Sequence, residues 1–311
     1  MDGRWLDRTR GWFVIVAGAA LVASCGADED DPYLVVRGSP AALDADYLYY
    51  LKNDSREPHD LISYRKTTGE QRMLGNFDGG GGELAVADGF VVTNTRDATV
   101  RLPVGGGAPE TLRAPSCRMI QVVDHTVYCV ADSRSATSAE VLISFALAGG
   151  PERVVIPERT VDYVVDRGVV FWSSAAGRLA RTDLAAGTTA DLARANIISA
   201  IAVDEMDVYF TDIDTPTGIR RLLRIPRGGG AAAMLGEIAR VQTALAVDER
   251  HVYWSELGVF ALRKDGTAPP FRLGSSREVA RGTTGPPRAV LLDRVHVYWW
   301  AARINRVEKP Q

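Results

Sequence analysis

Leu245–Glu256 reads LAVDERHVYWSE, and this stretch decides the fold because the chain repeats it. IAVDEMDVYFTD stands at Ile201–Asp212 and LLDRVHVYWW at Leu291–Trp300. Each copy is an apolar strand ending in Asp, a tight polar turn, and a second strand of the type Val-Tyr-Trp or Val-Tyr-Phe. Short apolar runs bounded by turn residues mark strands, and Asp favours the turn because its carboxylate accepts backbone N–H bonds nearby. Outward from this core, the anchoring aspartates are Asp44, Asp88, Asp124, Asp166, Asp204, Asp248 and Asp293, at intervals of 36 to 45 residues. Second strands begin at Leu48, Val91, Val127, Val170, Val208, Val252 and Val297. Third strands such as LLRIPRGGG (Leu222–Gly230) run into glycine-rich turns.

Seven units of about 40 residues, each offering four short strands, predict an all-β chain folded as a seven-bladed β-propeller, with six or eight blades as the alternatives. One small twisted sheet cannot bury both faces alone, so blades must stack and the ring must close. The last repeat stops after its third strand, RINRVEK (Arg303–Lys309), while YLVVRG (Tyr33–Gly38) precedes the first repeat as an orphan. That orphan is expected to supply the missing outer strand. Repeat two departs from the pattern, since its second strand FVVT carries no aromatic residue at the Tyr-Trp positions.

Composition agrees. The 311 residues are 46% hydrophobic with net charge −3, enough for a large core and no polyelectrolyte, so nucleic acid is not an expected partner. The first residues are different in kind. Arg4, Arg8 and Arg10 precede the apolar run WFVIVAGAALVA (Trp12–Ala23), and small residues lead into Cys25, the order of parts of a secretory signal. The run is short of the roughly 20 residues a spanning helix needs.

Val22-Ala23-Ser24-Cys25 resembles the lipobox of bacterial lipoproteins. The resemblance implies a signal peptide at 1–24, lipid attachment at Cys25, and an acidic tether at 25–32 before a propeller at 33–311. It also implies membrane association through the lipid anchor, in the cell envelope; Gly26, by analogy with lipoprotein sorting, points to the outer membrane. The repeats in turn resemble TolB-like and YWTD-like propeller units, and most of all the repetitive propeller lipoproteins of myxobacteria. Propellers bind, scaffold and catalyse alike, so this resemblance implies a fold rather than an activity.

Chemistry is sparse in the sequence. Three of four histidines, His125, His251 and His296, fall in first hairpin turns, where position explains them. No GxSxG elbow, HExxH or phosphate loop occurs, so no catalytic residue, metal site or cofactor is expected. The repeated Arg101, Arg181, Arg224 and Arg306 share one third-strand position and read as inter-blade ties. The loops after the second strands vary most, and they place binding-rim candidates at Arg56, His59, Arg96, Arg134, Asp212 and Asp214. Asp212 and Asp214, in TDIDTPTG, lack the fuller series of a calcium loop. Cys117 and Cys129 are an even pair in an exported chain and flank a hairpin turn, so they are either disulfide-bonded or two buried thiols. Two functions remain open. One is a monomeric, non-enzymatic envelope lipoprotein binding an envelope protein, glycan or small ligand. The other is a propeller hydrolase or lyase acting on polysaccharide or peptide, which several carboxylates and an arginine converging at the channel mouth would favour.

Overall fold

The computed structural model describes residues 34–36, 41–52, 58–77, 83–132, 140–215, 217–238, 244–256, 258–274, 290–300 and 304–311. The segments 1–24 and 25–32, with Cys25, lie outside them, as do Arg56 and Arg134. Among the described residues, twenty-eight strands form seven four-stranded antiparallel sheets. Blade six shows the plan: Leu245–Val247, His251–Glu256, Gly258–Arg263 and Phe271–Gly274, ordered from the axis outward. The first strands of adjacent blades touch all the way round, blade seven against blade one included, so the ring is closed. Closure uses the expected device. Leu34–Val36 pairs antiparallel with Ile304–Glu308 and completes the last blade, whose other strands are Val290–Leu292 and His296–Trp300.

The repeated Val-Tyr-Trp now has a physical reason. Alternate residues of a strand face opposite sides of the sheet, and in a propeller those sides are two seams. Val252 and Trp254 pack against blade five, whereas Tyr253 packs against blade seven. The rule holds for Val208, Phe210 and Tyr209, and for Val297, Trp299 and Tyr298. Seven apolar clusters result, one per seam, and the largest fully buried side chains are these aromatics. Repeat two forms a complete blade despite its missing aromatics, because Val91 and Val92 fill the two seams at 0% exposure.

The outer strand of every blade, including the one lent by Leu34–Val36, breaks register once against its neighbour. Irregularities of this kind bend an exposed edge and blunt its capacity to pair with another chain.

Candidate functional site

The hairpin turns between first and second strands form one face of the ring, and it is built for structure. In blades one, five, six and seven the turn has three residues, and the aspartate caps it. Asp248 Oδ1 accepts the amides of Arg250 and His251, both at 2.9 Å, while Oδ2 accepts the Tyr253 hydroxyl at 2.7 Å. Asp44, Asp204 and Asp293 do the same with Tyr49, Tyr209 and Tyr298. The expected Asx role fails in blades two, three and four. Their turns have two residues at positive φ, Asp88-Gly89, Asp124-His125 and Arg167-Gly168, so the backbone closes the turn without the side chain. Asp88 instead meets His125 of the next blade at 3.0 Å.

A cation from the following blade completes this device in blades five, six and seven, and meets the corresponding aspartate of blade four. Lys264 Nζ stands 2.5 Å from Asp204, Lys309 3.2 Å from Asp248, Lys66 3.1 Å from Asp293 and Arg227 2.5 Å from Asp166. Each crosses a seam. Burial pushes the Asp293 carboxyl up, but the turn amides, Tyr298 and Lys66 outweigh it and hold it at about 2. Asp204 and Asp248 are lowered by the same balance of causes. The repeated third-strand arginines also bridge seams. Nη1 of Arg101, Arg181 and Arg224 donates to the carbonyls of Leu147, Arg227 and Lys264, each in the next blade.

The opposite rim carries the loops after second strands and the links between blades. Here the predicted candidates separate. Arg96 is exposed in its loop, and His59 is half-buried, opening the third strand of blade one opposite Phe77. Asp212 is turned inward, 7% exposed, with Oδ1 accepting the Asn196 amide at 3.0 Å; it holds a blade link. Asp214 lies 3.4 Å from Arg221.

Blades two and three are joined on this side by several side-chain ties. Cys117 lies one residue ahead of the strand Arg118–Val123, not within it as its sequence position implies, and the register slips between Arg118 and Gln121. The sulfurs of Cys117 and Cys129 lie 2.20 Å apart, with the Cα atoms at 5.9 Å. Asn94 donates to the Cys117 carbonyl, and the Cys117 amide donates to Thr99 Oγ1 at 3.2 Å. Arg113, with its side chain 2% exposed, sets Nε 3.1 Å from Glu152 of blade three. Between these ties opens a cavity of about 360 Å3 lined in part by Glu83, Asn94, Arg96, Arg118 and Glu140.

Two carboxylates, Asp162 on the innermost strand of blade four and Glu83 one residue ahead of that of blade two, were not legible as functional in the sequence. Asp162 Oδ2 accepts the Ile201 amide of blade five at 2.6 Å and Oδ1 accepts the Tyr163 amide at 2.9 Å. Burial outweighs both bonds and, with the nearby charge of Glu83, pushes its carboxyl up to about 7. Burial also raises Glu83, against amide bonds from Met119 and Ile120 and the charge of Arg118. These groups answer to no repeat pattern, which is why spacing missed them.

The shift has a sign. A carboxyl raised on folding contributes stability that is complete below its unfolded value near 3.8 and lost as pH rises through about 7. Asp293 runs the other way, contributing above 3.8 and losing that contribution as pH falls through about 2. Between pH 5 and 8 only the first effect operates among these two. Asp162→Asn is therefore expected to flatten the decline of melting temperature from pH 5 to pH 8; a slope equal to that of the parent contradicts this assignment.

No protein-family model matches the chain, and no curated protein does. Solved structures match it well. The computationally designed Ika8 protein superposes with a TM-score of 0.63 at 14% identity, over 90% of this chain and 98% of its own. BamB from Moraxella catarrhalis gives 0.56 at 15% identity, over 87% and 82%. PorZ, an essential surface component of the type-IX secretion system of Porphyromonas gingivalis, gives 0.62 at 12% identity, over 89% of this chain and 37% of its own. At such identities the likeness is one of fold: the chain is a seven-bladed β-propeller.

Proposed function

We propose that this chain is a non-enzymatic envelope lipoprotein, anchored through a lipidated Cys25 at the outer membrane, whose propeller binds or scaffolds a protein, glycan or small ligand. One observation carries the binding role: the two faces of the ring are built by different rules. Turns between first and second strands hold two or three residues in every blade, closed by aspartate caps in blades one, five, six and seven and by the backbone alone in blades two, three and four. Toward the opposite rim the second and third strands are separated by one residue in blade six and by seven in blade one. Structural constraint makes repeats alike, and recognition makes them differ. The likeness to BamB and to PorZ, a bacterial surface component, supports an envelope setting.

The test is capture from envelope extract. The full chain is expected to retain a partner that is lost when rim residues Arg96 and Asp214 are replaced by Ala and kept when Arg167 and Glu205, on the turn face, are replaced. Retention indifferent to the rim overturns the reading. For the anchor, Cys25→Ser is expected to release the protein from the membrane fraction, and unchanged retention contradicts lipidation. The charge of Glu83 felt by Asp162, and that of Arg118 felt by Glu83, favour a second reading, acid–base cleavage of polysaccharide or peptide. That reading requires an activity abolished by Glu83→Gln.

A further inference from the structure

We infer that Met73, Met206 and Met234 are sacrificial oxidation sites, thioethers at which the propeller consumes a two-electron oxidant of the peroxide class without losing its fold. The chain has five methionines, and these three are 60%, 74% and 56% exposed, although methionine is among the residue types most often buried. Met119 is the contrast. It is half-buried, packs against the apolar cluster between blades three and four, and sits at φ +58° with its carbonyl accepting the Tyr163 hydroxyl. Cys117 and Cys129 are joined to each other and offer no thiol.

The repeats themselves show that each of the three places tolerates a polar group. Met73 and Met234 stand at one repeated position, the outer-strand residue paired just past the register break, opposite Ile62 and Leu223. Blades two, four and six carry Thr111, Asp191 and Arg272 there, all exposed. Met206 is the last residue of its three-residue turn, a place held by the exposed Asp46 and Arg250 in blades one and six. Asp204 closes that turn through the amides of Met206 and Asp207, so the thioether takes no part in closure. A sulfoxide disrupts a protein when it puts a polar group into a core. At these positions it puts one where the same fold already carries a carboxylate or a guanidinium.

Peroxide alone balances the step. A sulfur lone pair attacks one peroxide oxygen, an S–O bond forms as the O–O bond breaks, and the departing hydroxide takes the proton of the transferred oxygen and leaves as water. Sulfur loses two electrons and peroxide gains them.

Treatment of the full chain with hydrogen peroxide, followed by peptide mass spectrometry at successive times, tests the inference. Met73, Met206 and Met234 are expected to gain one oxygen each about fivefold or more faster than Met119, because oxidation follows access to the sulfur. At that stage the melting temperature is expected to equal that of untreated protein. A chain carrying Met73→Leu, Met206→Leu and Met234→Leu, replacements that conserve volume, is expected to melt as the parent does and to consume one equivalent of peroxide less for each methionine replaced. Oxidation of Met119 in step with the other three, a melting temperature several degrees lower once the three alone are oxidised, or undiminished peroxide uptake by the triple variant overturns the inference.

Discussion

Deletion of Tyr33–Gly38 is expected to lower the melting temperature by about 10 °C. Without Leu34–Val36 the third strand of blade seven becomes an unpaired edge, and Ile304 and Asn305, both 0% exposed, meet solvent. Lost backbone bonds at about 1 kcal/mol each and exposure of an isoleucine at about 2 kcal/mol give on the order of 3–5 kcal/mol. At roughly 2–4 °C per kcal/mol for a chain of this size, the shift follows. The newly exposed edge is also a template for pairing, so the truncated protein is expected to self-associate. Calorimetry with light scattering checks both effects, and a monomer melting where the parent does refutes closure by this strand.

Gly177→Ala is expected to be comparably damaging, for a local reason. Gly177 sits at φ +73° in the tight rim turn of blade four, and a Cβ there would lie 1.9 Å from the Ala195 carbonyl oxygen. Ala195 itself donates its amide to the Gly177 carbonyl at 2.9 Å, so turn and blade link are in direct contact and neither can yield alone. Left-handed strain of about 1–2 kcal/mol adds to overpacking of about 1–3 kcal/mol. Gly187 supplies the control, with φ +66° and no neighbour within 4 Å of the added atom. Gly187→Ala is expected to show the strain alone. Equal midpoints in urea for the two variants dispose of the contact argument.

The parts of the fold legible in the sequence are those the repeat imposes. Leu245–Glu256 disclosed strand, turn and strand because the alternation of Val252, Tyr253 and Trp254 reports which seam each residue enters. The orphan strand was legible by subtraction, since the last repeat ran short by one. The cation that crosses each latched seam was not read, although Lys66, Arg227, Lys264 and Lys309 share a position just past their third strands. Its partner aspartate belongs to the preceding blade, 61 residues back for Arg227 and 227 residues on for Lys66 at the closing seam, so the pair appears only once neighbouring blades are placed side by side. The failure of the Asx role at Asp88 and Asp124 has a local cause: one residue fewer in the turn hands closure to the backbone. The candidate site was least legible. Glu83, Asp162, Arg113 and Arg118 occur once each, and their environment is set by crowding of innermost strands and by the seam between blades two and three, which no local pattern encodes. Asp212 read as a rim ligand because the sequence placed it beside a variable loop, whereas its side chain is spent on the Asn196 amide.

The most direct measurement of the account is a crosslink across the closing seam. Leu34 and Asn305 are partners in the pairing of Leu34–Val36 with Ile304–Glu308, and cross-strand neighbours come close enough for a disulfide with modest adjustment. A chain carrying Leu34→Cys and Asn305→Cys, oxidised mildly and digested, is expected to yield a peptide joining positions 34 and 305 within one molecule. A joined peptide found only between two molecules, or none at all from folded protein, contradicts a seven-bladed ring closed by its own N-terminal strand.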